Sequence, residues 1–318
     1  MTDRTTILRH LELSDKPWQL VKHIDDVPVN KIVYPMWGEI KYDGVFCAVV
    51  LSAFAHDAIS RTGKRFYAEA NDLLYPYIPK HSSGHVVIGE LINKHCSLEV
   101  LSGLVNPNRV NPWTAEEREL MKGMDYIVHD VLTFGEVLAG FSPIMYRDRR
   151  DRLMRLSTNV YTAEGKMLHS QAEFDMFAKE VIAAGGEGIV GKNLYAGYEA
   201  GHKGWRVLKK VRDLHVDLKC LGAQTGKGKR TGQIAKLQFM YKGKLFWADL
   251  GEGWTDEKRI QLTEDWQLAT TNCLGMEHPN NPIGKIFHVK ALQESSKGVL
   301  RLPKVLEMRI DKFVEDAT

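Results

Sequence analysis

Lys41 stands between Glu39 and Asp43, Gly44 follows, and the chain then runs into the apolar stretch Val45–Leu51. A lysine attacks an electrophile only as the free amine, so an ordinary pKa near 10.4 must come down to about 7, a change worth about 4 kcal/mol. Burial and neighbouring cations supply such a change. An ion pair with Glu39 or Asp43 is the competing use of the same side chain, and it acts in the opposite sense. Lys-x-Asp-Gly occurs by chance in about one chain of this size in ten, so this stretch alone does not separate a nucleophile from a surface ion pair.

A second chemical feature is charge. Between Gly201 and Lys236 there are ten Lys or Arg against Asp213 and Asp217, a net of +8, so the remainder must sum to −5 to reach the total of +3. Such a block is either a solvated face or the footprint of a polyphosphate or nucleic acid. Inside it, "GAQTGKGKR" looks like a phosphate loop but fails the Gly-x-x-x-x-Gly-Lys-Ser/Thr spacing. Cys47, Cys96, Cys220 and Cys273 lie too far apart for a Cys-x-x-Cys pair, so reduced thiols are expected rather than a zinc site or a disulfide framework.

These residues need a frame to hold them. At 318 residues, with 44% hydrophobic and 26% charged, the chain suits two domains with buried cores. Up to about Arg212 short β-rich runs (45–51, 86–92, 126–132, 188–192) mix with helical ones (66–77, 114–122, 143–156, 171–184), an α+β pattern. The last helix is expected to bury Phe174, Phe177, Ile182 and Ala183. From Val216 onward short alternating strands take over, clearest in "KLQFMYKGKLFWADLG", where Lys242-Gly243 marks a turn. The expected division is 1–213 and 214–318, the second part a small β-barrel. The charged amino terminus offers no signal peptide, and no segment reaches the roughly 18 apolar residues of a membrane span, so the cytoplasm is the expected setting.

Six further segments follow Lys41 in order: "SRTGK", "VVIGELIN", "DYIVHDVL", "GGEGIVGKN", "YEAGHKGWRVLKKVRD" and "LRLPKVLEMRIDKFVEDAT". The ordered series resembles the ATP-dependent DNA ligases of the covalent nucleotidyltransferase superfamily, in a minimal two-domain form. The resemblance implies an adenylation domain of antiparallel sheets with flanking helices, followed by an OB-fold barrel. It implies Lys41 as the nucleophile that takes AMP from ATP, with AMP then passing to the 5′-phosphate of a nick and leaving as the 3′-hydroxyl attacks. Glu39 is expected to read the adenine amine, Arg61 to meet the ribose and α-phosphate, and His129 to stack on the base, with Tyr126 on the opposite strand face. Glu90 and Glu187 are expected to hold magnesium, for which manganese is a substitute, and Glu90 also approaches the ribose. Lys192 and the doublet Lys209-Lys210 would face the triphosphate, and Arg309 and Lys312 of "MRIDKF" its β- and γ-phosphates after a domain closure.

Two positions depart from the family pattern. Phe46 stands where an arginine is usual, a loss that Arg65 could cover. Val207 replaces the first lysine of Trp-x-Lys-x-Lys, where Lys210 or Arg206 could compensate. Lys227, Lys229, Arg230 and Lys236 are expected to grip the DNA backbone. The expected enzyme is a monomer acting on nicked duplex DNA without an obligatory protein partner. The alternatives with the same chemistry are an RNA ligase or an mRNA-capping guanylyltransferase. A non-catalytic nucleic-acid clamp is the alternative of another class; the longer NAD-dependent ligases, with a four-cysteine zinc module, are disfavoured.

Overall fold

The structure, a computed structural model, describes residues 3–74, 83–156, 161–271, 280–295 and 297–317. The chain divides into two compact units, Met1–Val211 and Arg212–Thr318. No helix among the described residues is long and apolar enough to cross a membrane.

The first unit is built on two five-stranded sheets. One runs in the order Leu20–His23, Lys203–Val211, Gly188–Asn193, Met36–Ile40, Gly165–Leu168. The other runs His56–Ile59, Val45–Leu51, His85–Asn93, Met124–Thr133, Tyr161–Thr162. Lys41 lies in the short passage between Met36–Ile40 of the first sheet and Val45–Leu51 of the second. It is therefore held where the two sheets meet, and its own amide donates to the Gly188 carbonyl over 2.8 Å.

The core strand Val45–Leu51 is nearly all apolar because it is covered on both faces. Cys47 and Val49 join one buried cluster with Leu91, Tyr126 and Trp113, while Ala48 and Val50 join another with Ile7, Leu11 and Trp18. Gly44 is required by the same packing. A Cβ there would come within 2.3 Å of the Leu91 carbonyl oxygen and 2.6 Å of Glu90 Cγ, so only glycine lets the chain between Lys41 and Val45 approach the strand that carries Glu90.

The helix at 171–183 starts from Ser170, whose hydroxyl accepts the Glu173 amide at 3.2 Å, and it buries Phe174, Ala178 and Val181. The expected face is corrected here: a spacing of four and three residues keeps to one stripe, which leaves Ile182 half-buried and Ala183 exposed. The expected helix at 66–77 is shorter, Ala68–Asp72, and its last three residues lie outside the described ones, as does Cys273. Thr114 forms a capping box with Glu117 at the start of Ala115–Met121. The described cysteines, Cys47, Cys96 and Cys220, are free thiols.

The second unit is a curled six-stranded sheet whose outermost strands are Leu214–Lys219 and Gly222–Thr225. Ile234–Tyr241 and Lys244–Leu250 form the expected hairpin, and Lys242 (φ 46°) and Gly243 (φ 75°) take the left-handed conformations of a two-residue turn. Inward Leu237, Phe239, Phe246 and Ala248 meet Phe287 and Val289 in its core. A helix at Asp256–Thr271 interrupts the expected run of strands and packs Leu262 into that core. Its start was visible: Thr255 precedes Asp256 and Glu257, and its hydroxyl accepts the Lys258 amide at 3.3 Å.

Candidate active site

The two sheets of the first unit supply facing groups. Strand alternation sends Ile189 and Leu208 into the cluster around Phe174, under the helix, and leaves Lys192 and Lys209 on the opposite face. Glu39 lies on this face through the pairing of Met36–Ile40 with Gly188–Asn193. Its carboxylate is buried, 5% exposed, and Lys192, 6% exposed, lies 2.7 Å from its Oε2. Burial raises the Glu39 pKa, and the Lys192 charge opposes that without cancelling it.

From the other sheet, the backbone carbonyl of His129 accepts the Lys192 ammonium at 2.7 Å. The register of its strand shifts beside it: Ile88 pairs with Asp130 and Gly89 with Val128, so His129 is the extra residue of a bulge. The bulge turns the carbonyl out of the ladder. The His129 ring is half-buried, its Nδ1 has no hydrogen-bond partner, and burial followed by the Lys192 charge lowers its pKa well below the ordinary value. Tyr126 is in the core, its hydroxyl within hydrogen-bonding distance of two carbonyls, Val87 at 3.0 Å and Cys47 at 3.2 Å, that share its one proton.

The Lys41 amine donates to Glu187 Oε2 at 2.7 Å, so its partner is neither Glu39 nor Asp43. Glu187 is 6% exposed and immediately precedes Gly188, whose φ of 143° only glycine adopts freely and whose Cβ would lie 2.1 Å from the Lys210 carbonyl. Glu90 is a further carboxyl close to Lys41. Burial pushes it up to about 7, against the pull of Lys41 and Arg61. Lys209 is pulled below its ordinary pKa, first by burial and then by Lys41.

The Glu90 value carries a testable sign. The native carboxyl keeps its proton up to about 7, while the unfolded chain releases it near 4.5. Between these values the folded state binds more protons, so this group makes stability fall as pH rises from about 4.5 to 7 and adds no further slope above. Glu90→Gln should flatten that decline in urea-unfolding midpoints; an undiminished slope would reassign it to other groups.

Other expected members of the site lie elsewhere. Lys210 points to the opposite face of the sheet from Lys209, as adjacent strand residues must, and pairs with Asp175 at 2.7 Å. Its expected place at the triphosphate is corrected, and it does not compensate for Val207. Neither does Arg206, whose Nη2 donates to Glu199 at 2.7 Å. Val207 itself sits directly across from Lys192. Arg65 leans on Asp57 at 3.5 Å rather than covering for Phe46. The exposed Arg61 guanidinium instead lies 5.5 Å from the centre of the Phe46 ring, which packs against Trp18 at 5.3 Å.

In the second unit Asp217, 5% exposed, gathers Arg309 Nη1 at 2.8 Å, Lys312 Nζ at 3.0 Å and His288 Nδ1 at 2.6 Å. Burial pushes this carboxyl up, but the bonds from His288 and Lys312 and the nearby cations outweigh it and hold it low. Arg309 also makes a two-pronged pair with Asp311, at 2.9 and 2.8 Å. Among the basic residues, Lys227 and Lys229 are exposed in and beside the turn Gly228–Arg230. Arg230 pairs with Asp256, and Lys236 lies 3.6 Å from Asp249.

Two residues outside the motifs complete the first-unit site. Tyr146, 2% exposed, donates its hydroxyl proton to Glu39 Oε1 over 2.6 Å. Arg149, 3% exposed, makes a two-pronged pair with Asp130, both contacts 3.0 Å, one residue after His129. The sequence signal for both is the helical spacing of Tyr146, Arg149 and Leu153 in "YRDRRDRLMRL", the stripe that the helix buries.

Residues 19–210 match the family model of the ATP dependent DNA ligase domain, and 225–309 that of the DNA ligase OB-like domain. The chain belongs to the ATP-dependent DNA ligase family. Among curated relatives, a DNA ligase of Pyrobaculum neutrophilum is 29% identical over 265 residues, covering 72% of this chain and 43% of its own length. A probable DNA ligase of Anaeromyxobacter dehalogenans is 29% identical over 204 residues, covering 58% of this chain and 39% of its own. The chain thus spans about two fifths of the length of these relatives. The fold is that of solved ligases: a Lig E DNA ligase described as binding DNA with a minimal scaffold aligns with TM-score 0.64 at 17% identity, covering 92% of this chain and 98% of its own. The ATP-dependent DNA ligase of bacteriophage T7, in complex with ATP, aligns with TM-score 0.51 at 18% identity, covering 93% and 99%. This ligase-family chain therefore pairs a nucleotidyltransferase domain with an OB-like domain, whose expected barrel takes the form of the curled sheet.

Proposed function

We propose that this chain is an ATP-dependent DNA ligase that seals nicks between a 5′-phosphate and a 3′-hydroxyl. The observation that carries the reading is a buried carboxylate, Glu187, 2.7 Å from the Lys41 amine and beside the Glu39–Lys192 pair: at rest it is the ion pair that competes with attack, and in the reaction it is the base placed to take the amine's proton. In the first step the Lys41 proton leaves along its bond to Glu187 and Nζ bonds to the α-phosphorus of ATP. The bond to the bridging oxygen breaks and pyrophosphate departs. A 5′-phosphate oxygen of the nick next attacks that phosphorus, the N–P bond breaks and the lysine regains a proton. Finally the 3′-hydroxyl oxygen bonds to the 5′-phosphorus as its proton passes to solvent, the bond from that phosphorus to the AMP phosphate oxygen breaks, and AMP leaves.

Glu39 offers an acceptor to the amine of adenine, and the His129 ring, with an unpartnered Nδ1, offers a face for the base. Lys192, Lys209 and Arg61 supply cations for the phosphates, and Arg309 and Lys312 would add two more once free of Asp217. Glu90 and Glu187 are the residues that would hold magnesium. They fit it in that the Glu187 charge helps raise the Glu90 pKa, so a divalent cation would relieve both. The described residues contain no cluster of three His, Cys, Asp or Glu, so phosphate oxygens and water would complete the coordination. A bound magnesium would offset the charge that develops on the phosphates.

The test is mass spectrometry of protein soaked in ATP, with an AMP adduct on Lys41 expected. An adduct only from GTP would favour capping. Binding of nicked DNA without any adduct would favour a clamp. The reading includes nicked duplex DNA as the partner, a monomer, and a cytoplasmic setting where ATP is at hand. Lys227 and Lys229, exposed on their turn, are proposed contacts to DNA phosphates. Replacing both with alanine should lower the slope of log affinity against log salt by about 2, measured on nicked duplexes, and an unchanged slope would remove them from the interface.

A further inference from the structure

Tyr146 opens the helix Tyr146–Leu156, and its position is fixed from several sides. Its amide donates to the Ala196 carbonyl at 2.9 Å, and the next amide, of Arg147, donates to Leu194 at 3.1 Å. One turn on, Arg149 is tied to Asp130 and also donates to the Ile144 carbonyl at 2.6 Å. The ring is buried, with Lys192 Nζ 4.9 Å from its centre.

A tyrosine hydroxyl has one proton to give. Three polar groups compete around it: Glu39 Oε1 at 2.6 Å, the His129 carbonyl at 3.1 Å and Lys192 Nζ at 3.4 Å. The carboxylate is the nearest and the strongest acceptor, so it receives the proton. Lys192 has no acceptor capacity and can only donate, which it does to the His129 carbonyl and Glu39 Oε2. Burial followed by the Glu39 charge raises the Tyr146 pKa well above its ordinary value, so the hydroxyl stays a donor. Both Glu39 oxygens are therefore each held by one fixed donor, and what they still present is acceptor character alone.

We propose that Tyr146 is a specificity-determining positioning residue, which locks Glu39 as an oriented acceptor and thereby makes the pocket select a purine with an amino group at C6. The inference rests on the proposed function, in which Glu39 meets the base. A 6-oxo purine would set its carbonyl oxygen against a carboxylate oxygen with no proton between them. A purine with only hydrogen at C6 would leave the acceptor unpaired. A site built around such a hydrogen bond discriminates strongly against analogues that cannot make it.

The experiment measures covalent labelling kinetics with ATP, GTP and purine riboside triphosphate, which lacks the amino group, in the intact protein and in Tyr146→Phe. The wild type is expected to prefer ATP over both others. Tyr146→Phe keeps the ring and its packing, so labelling by purine riboside triphosphate should stay within twofold of wild type. The KM for ATP should rise about tenfold with kcat little changed, the scale expected for losing one hydrogen bond to a charged group. The preference for ATP over the 6-unsubstituted analogue should shrink by the same factor. Equal losses with both nucleotides would mean that Tyr146 only supports packing, and an unchanged preference would show that Glu39 is oriented without it. Either overturns the inference while leaving ligation intact. Absence of label from every nucleotide in the wild type would instead sink the proposed function, and this inference with it.

Discussion

Lys41→Ala should abolish covalent labelling from ATP carrying a labelled α-phosphate, a loss of at least about 10⁴-fold, since removal of a nucleophile leaves no alternative atom to form the bond. The alanine variant alone would be ambiguous. Glu187 is 6% exposed and would lose the ammonium 2.7 Å away, leaving a buried carboxylate without that counter-charge. Lys41→Arg separates the two effects, because a guanidinium keeps the positive charge but stays protonated and does not attack phosphorus. The arginine variant should therefore fold with near wild-type stability and take no label. Label at wild-type levels in either variant would place the nucleophile elsewhere and refute the assignment.

Arg149→Ala should strongly destabilise the first unit, costing about 3–5 kcal/mol, the usual penalty for stranding one member of a buried ion pair. Arg149 and Asp130 are 3% and 7% exposed, and the variant would leave the Asp130 carboxylate buried without its two-pronged partner. The damage should also reach the nucleotide, because this pair ties the helix beginning at Tyr146 to the strand carrying His129. Urea unfolding and labelling kinetics should fall together. Replacing both partners with apolar residues, Asp130→Leu with Arg149→Met, should recover much of the stability, since no stranded charge remains. If Arg149→Ala loses less than about 1 kcal/mol, the pair is well solvated and does not organise the site.

Much of the frame is legible in the residues alone. The strand Val45–Leu51 occupies the residues its unbroken apolar run predicts, and Lys242-Gly243 forms the turn its composition demands. These features are local: each depends on side-chain period or on the φ a residue tolerates, and a short window contains both. The Asp256–Thr271 helix was equally local, with Thr255 and two acids at its start, yet the alternating texture around it masked the signal. The basic doublet illustrates a different limit. Lys209 and Lys210 are equal as residue types, and only their strand identity sends one toward Lys41 and the other to Asp175.

The order of residues fixes the set of chemical groups: Lys41 before a tight glycine, carboxylates at Glu90 and Glu187, and cations at Lys192 and Lys209. Their pairing comes from the fold, because Lys41 meets Glu187 across 146 positions and Tyr146 meets Glu39 across 107. Contacts at such separations arise where two sheets converge and exclude water, and there burial and one neighbouring charge settle which group holds a proton. No local pattern encodes that partnership, so Tyr146 and Arg149 remained ordinary helix residues until the fold brought them to Glu39 and Asp130.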